Sequence, residues 1–268
     1  MAAAGALLLG TVLAVGAFFA FRSDHGGRGT VPLGSPTPGM TPTPAASPTP
    51  TPTGAPSPPA TPTAAAGALH FNLGMWAKGG GWVFDGTARG ASGYREGEAI
   101  PFLVRIDGAR PGDVYGVGLR YDCRSGQAAA FDYLTSYDRD AGSAPALADD
   151  GPARLPPDAA IAVPDDGSTA FDDAEERQLA LWGATLEVAP VGRGLEAPCA
   201  GSKTVQVAVR ARAGTVFILW GAHLASEKDW GGGQGASRGD HPFSMTVQVS
   251  GVPPDQQTVA VDPAALLR

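Results

Sequence analysis

Residues 30 to 66 hold twelve prolines among 37 residues and not one charged side chain, running VPLGSPTPGMTPTPAASPTPTPTGAPSPPATPTAA between Thr30 and Ala66. A stretch of that kind has no apolar period to bury and cannot build a core. It divides the chain into an N-terminal flank (1–29), a disordered Pro/Thr-rich linker (30–66) and a head (67–268). Proline-rich chain prefers the extended polyproline II form, so the linker would reach on the order of 100 Å if straight. Gly34, Gly39 and Gly54 make that an upper bound.

Residues 2–21 form an uncharged apolar run of 20, AAAGALLLGTVLAVGAFFAF. As a helix rising about 1.5 Å per residue it matches the roughly 30 Å of a bilayer core. The run is read as an uncleaved, single-pass transmembrane helix and as the chain's contact with the membrane. Its rival is a cleaved signal peptide, with Ala14 and Gly16 as the small residues before cleavage and a secreted head as the outcome. Arg22 and Arg28 follow the run and by charge alone would hold the head in the cytoplasm. Asp24 lies between them, and a Pro/Thr stalk is typical of exported chains, so the head is expected to be extracytoplasmic.

The formal charge is −7 overall and +1 over the first 66 residues, which leaves −8 on the head. An acidic head disfavours nucleic acid and anionic lipid as partners. The single asparagine, Asn72, is followed by Leu and Gly and is not a glycosylation acceptor.

From Leu69 onward, short apolar stretches alternate with Gly, Pro and Asp, and no helical period is present. Ile100, Phe102, Val104 and Ile106 share one face of 98–107; Tyr115, Val117, Leu119, Tyr121 and Cys123 share one face of 113–123. Gly116 and Gly118, on the other face, suggest close sheet packing. Residues 129–138 read as one strand with Phe131, Tyr133, Thr135 and Tyr137 on one side, and 178–189 as one extended segment. Val205, Val207 and Val209 point inward from 203–211, while TVFILWG (215–221) is apolar on both faces and belongs in the middle of a sheet. About nine strands predict an all-β fold, a two-layer antiparallel β-sandwich with Greek-key, Ig/jelly-roll-like connections. The tail DPAALLR has no assigned element.

Two cysteines, Cys123 and Cys199, are expected to form a disulfide in an exported head. The absence of CxxC speaks against a thiol metal site. Nine acidic residues crowd 149–176, and Asp165, Asp166, Asp172, Asp173 and Glu175 are the residues a Ca²⁺ ion would recruit. Their spacing is not that of an EF-hand, and a solvated acidic loop is the plainer reading.

GASRG (235–239) fits the G-x-S-x-G pattern, with Ser237 as nucleophile and a serine hydrolase as the implied activity. A glycine run precedes the serine and a strand follows it, the reverse of the strand–turn–helix context that exposes such a serine. Arg238, Gly239 and Asp240 spell RGD in the same loop, where a turn into the next strand is the plainer account. His70, His223 and His241 are read as structural, with His223 satisfying backbone groups at a sheet end. Among the five tryptophans, the choice is between core lids and a carbohydrate-stacking platform.

Taken together, YREGEAIPF (94–102), YDC (121–123), AFDYLTSYD (130–138), Pro198-Cys199, LWGAHLA (219–225) and DWGGGQGAS (229–237) resemble an uncharacterised family of exported bacterial β-sandwich domains met in surface proteins. The resemblance covers about residues 69–250. It implies an adhesin or envelope building block and carries no catalytic residue set. The expected function is therefore a non-catalytic, membrane-anchored surface protein, structural, adhesive or ligand-capturing, with a cell-surface protein or glycan as partner. A Ca²⁺-dependent carbohydrate-binding module is the alternative. The expected binding surface is the loop carrying Asp229, Trp230, Ser237, Arg238, Asp240 and His241, together with the motif from Asp132 to Tyr137.

Overall fold

The computed structural model describes residues 67–78, 81–84, 93–137, 156–164, 177–195 and 199–267. The expected membrane span (2–21), the expected linker (30–66) and the carboxylates Asp165, Asp166, Asp172, Asp173 and Glu175 lie outside them. Among the described residues, no helix is long and apolar enough to cross a membrane.

Among the described residues fourteen strands form: β1 His70–Ala77, β2 Gly81–Val83, β3 Ala99–Asp107, β4 Val114–Asp122, β5 Arg124–Ser125, β6 Ala128–Ala129, β7 Phe131–Thr135, β8 Ala159–Ala162, β9 Gln178–Trp182, β10 Ala184–Arg193, β11 Ser202–Ala211, β12 Thr215–Leu224, β13 Phe243–Val249 and β14 Gln256–Val261. A seven-stranded sheet runs β2-β1-β3-β12-β9-β8, with β7 also on β12, and a five-stranded sheet runs β10-β11-β4-β13-β14. Every pairing within these two sheets is antiparallel.

Both sheets turn one face onto a common core, the arrangement of a β-sandwich. Ile100, Phe102, Val104 and Ile106 of β3 are fully buried, and Val205, Val207 and Val209 of β11 face them from the other sheet. An aromatic series crosses the core at one end. Trp220 stacks on Phe102 (centroids 5.9 Å, interplanar angle 17°), Phe102 meets Phe131 edge-on (5.9 Å), and Phe131 meets Phe243 of the second sheet edge-on (4.8 Å). Each such pair adds about 0.5–1.5 kcal/mol beyond its buried area.

The two-faced strand sits where its composition requires. β12 is flanked by β3 on one side and shares its other side between β9, at Phe217–Leu219, and β7, at Gly221–Leu224. On the outer face Leu103, Ala180, Trp182 and Leu219 form a second apolar cluster with Trp82, Tyr137 and Phe217. Pro101 causes no break in the ladder with β1, whose last pair is Met75–Phe102.

Three local expectations are corrected. Residues 178–189 are two strands in different sheets, because the chain turns at Gly183, whose φ of +68° is left-handed. A Cβ there would run into the Thr215 carbonyl, so only glycine makes this corner. Gly116 and Gly118 lie on the outer face of the five-stranded sheet, where a Cβ at Gly116 would meet only the Ser250 side chain (3.0 Å) and one at Gly118 nothing nearer than 4.0 Å, and so they do not mediate packing between the sheets. The tail is part of the fold: β14 pairs with β13, a 3₁₀ turn follows at Pro263–Ala265, and Leu266 is buried.

Tyr94 is buried and donates its phenolic O–H to the Trp76 carbonyl (3.0 Å). Burial, and then the Glu98 carboxylate, hold its proton above the ordinary phenol value. The folded state therefore binds this proton more tightly than the unfolded chain. Its contribution to stability is whole below pH 10, the approximate phenol value, and is lost as the pH climbs above it. Urea unfolding at about pH 9 and about pH 11 should show wild type losing more stability than Tyr94→Phe. Equal losses would remove Tyr94 from the alkaline transition.

Candidate functional site

One end of the seven-stranded sheet gathers ionisable residues that sequence order scatters. Asp132, Arg177, Lys203 and His223 are 2%, 4%, 5% and 6% exposed, and such groups are rarely buried unless partnered. The partnering begins with a β-bulge. Phe131 pairs with Leu224 and Tyr133 with His223, so Asp132 is the extra residue. A bulge re-aims the side chain it carries. It also inverts the alternation read from sequence: Phe131 enters the core, whereas Tyr133 stacks on the His223 ring with centroids 4.4 Å apart.

The fully buried Asp132 carboxylate is bonded through both oxygens. His223 Nδ1 lies 2.8 Å from Oδ1, and Trp230 Nε1 donates to Oδ2 at 3.2 Å. Lys203 Nζ donates to the Asp132 carbonyl (3.0 Å), and Arg177 Nε to the Leu134 carbonyl (3.2 Å) with its guanidinium 4.5 Å above the Tyr133 ring. His223 thus meets a carboxylate at the sheet end, where a backbone partner was expected.

Trp230 comes from the glycine loop. After β12 a single helical turn, α1 (Glu227–Trp230), starts at the N-cap Ser226, whose Oγ accepts from Asp229 N–H, and ends at Gly231 with φ +98°. Glu96 clamps the loop at two points. Its Oε2 accepts from Glu227 N–H (3.0 Å), and its Oε1 accepts from Ser237 N–H (2.9 Å) and Ser237 Oγ–H (2.6 Å). Gly235 packs against it: a Cβ there would collide with the Glu96 carboxylate and force that side chain to shift. Glu227 Oε1 accepts from Gly233 N–H (2.9 Å) and from Arg238 Nε, and this pairing raises the pKa of the Arg238 guanidinium.

These bonds place the expected site residues. Ser237 is buried and donates to Glu96; His223 is bonded to Asp132, and His241 Nδ1 to Asp240 Oδ1. Within the RGD tripeptide, Arg238 is committed to Glu227 and Asp240 to His241. The loop and the Asp132 motif meet through Trp230 and Asp132, but residues 132–135 are buried and present no binding surface of their own. Trp230 is 36% exposed, held at its indole N–H from below and with the Arg124 guanidinium 6.0 Å from the ring centroid.

Arg124 also lines a cleft of about 680 Å³ with Arg120, Asp122, Gln127, Ser202 and His241, bordered by Cys199 of the Cys123–Cys199 disulfide. Glu96, Arg120, Arg124, Arg177 and Lys203 were not singled out by sequence reasoning. Only Lys203 left a readable sign, a lysine in register with the inward valines of β11. Among the described residues no group of three or more His, Cys, Asp or Glu side chains is placed to hold a metal. No protein-family model and no curated protein matches the chain.

Proposed function

We propose that the head is a non-catalytic binding module, an Ig/jelly-roll-like sandwich anchored through residues 2–21, displayed outside the membrane on the linker 30–66, and capturing a cell-surface protein or glycan with the Trp230 face. The observation that carries this reading is an exposed tryptophan whose indole N–H is tied to a fully buried carboxylate. A ring fixed before the ligand arrives has little freedom left to lose on binding. The fixing apparatus of Asp132, His223 and Lys203 lies inside the fold, so the ring can act at the surface without unsettling the core.

A glycan array probed with the full chain, with and without chelator, tests the reading. Trp230→Ala should weaken the best hits at least tenfold, about 1.4 kcal/mol, at temperatures where the variant is fully folded, its Tm falling by roughly 2–12 °C because the buried Asp132 carboxylate loses a donor. Undiminished binding by the variant would remove Trp230 from the site. Hits lost on chelation would move Ca²⁺ and the acidic residues 165–175 into the binding account. Protease digestion of intact cells tests the display, since a protected head would place it on the cytoplasmic side.

A further inference from the structure

We infer that the cleft beside Trp230 takes the carboxylate of an acidic saccharide between Arg120 and Arg124, with the sugar ring laid on the indole; this rests on the binding role proposed above. The volume, about 680 Å³, is that of a small-ligand cleft, typically about 300–1,000 Å³. Elsewhere on the head, Lys78, Arg105, Arg210 and Arg238 each pair with a carboxylate. Among the described residues, Arg120 and Arg124 have no such partner. Arg120 bonds through Nε to Ser202 Oγ (3.1 Å) and Arg124 through one terminal nitrogen to the Gln127 carbonyl (2.9 Å). Each bond orients a guanidinium and leaves terminal N–H groups to receive an anion. The acidic residue of the cleft, Asp122, turns one oxygen to β13, accepting from Ser244 N–H (2.9 Å) and Oγ–H (2.7 Å).

A guanidinium fork binds a carboxylate through two parallel hydrogen bonds, which an ammonium cannot do. Arg124 joins the two halves of the site, since it lines the cleft and lies against the Trp230 ring. A ligand bridging them needs a flat, weakly polar face next to an anionic group. A uronic acid has both, whereas a free phosphate has only the second.

The test is calorimetric titration of the full chain in neutral detergent with a uronic-acid trisaccharide, its methyl ester and inorganic phosphate. The acid should bind, the ester at least tenfold more weakly, and phosphate should compete poorly. Arg120→Gln should cost the acid about tenfold and the ester nothing, with Arg120→Lys in between and Tm unchanged in both. Equal binding of acid and ester, an Arg120→Gln variant that binds the acid like wild type, effective competition by phosphate, or no binding of the acid each overturns the inference. Trp230→Ala separates this failure from that of the wider reading: acid and ester bound alike and both lost in Trp230→Ala would leave a binding face without an anion site.

Discussion

Asp132→Ala is expected to lower the unfolding free energy by roughly 3 kcal/mol, because it strips the buried His223 Nδ1 and Trp230 Nε1 of their common partner. For a domain of this size that corresponds to a fall in Tm of roughly 6–12 °C. Lys203 should be spared, since it holds the backbone carbonyl of residue 132 and not the carboxylate. Asp132→Asn keeps the volume and one acceptor, so its loss should be nearer 1 kcal/mol. A double-mutant cycle with His223→Ala should return a coupling energy of about 1–3 kcal/mol. Additive effects would show that the two side chains do not act together. Asp132→Ala should also weaken ligand capture beyond its effect on stability, because it frees the Trp230 ring.

The second large effect concerns the bridge between Cys123 and Cys199, whose Cα atoms are 6.2 Å apart across a sequence separation of 76. Closing a loop of that length removes unfolded-state entropy worth roughly 4–5 kcal/mol on the chain-entropy model. The double variant Cys123→Ala/Cys199→Ala should therefore melt roughly 8–20 °C lower. Native contacts would survive, because Cys123 N–H already donates to the Gly201 carbonyl (3.1 Å) and Ser202 pairs with Asp122 beside it. A loss below about 1 kcal/mol would mean that the unfolded chain is already confined in this region. Two reactive thiols in the denatured, unreduced protein would remove the bridge itself.

Much of the sheet structure was legible. The inward sets of β3, β4 and β11 follow from alternation alone, and the two-faced composition of β12 announced a strand with neighbours on both sides. The break at Gly183 was not legible, since the apolar pattern continues across it while the chain changes sheets. β14, as QQTVAV, was missed because its polar start hides a strand that pairs with β13 and buries Val259 and Val261 in the core. In β7 the alternation misled, because one inserted residue sends every later side chain to the opposite face. Trp230 and the Asp132 motif were both marked as surface features, 98 residues apart, and nothing local said that they bond.

The sequence by itself determined what each segment could be: an uncharged proline-rich stretch, an acidic remainder of alternating strands, one cysteine pair and a glycine run after the two-faced strand. Those properties follow from composition and from the two-residue period of extended chain, which needs no partner to be read. Tertiary structure alone decided which strands share a sheet, that Asp132 is the bulged residue opposite His223, and that Arg124 lines one cleft with Arg120 while its guanidinium comes within 6.0 Å of the Trp230 ring centroid. These depend on register between distant strands, a cooperative property of the packed core in which a one-residue shift inverts every side chain.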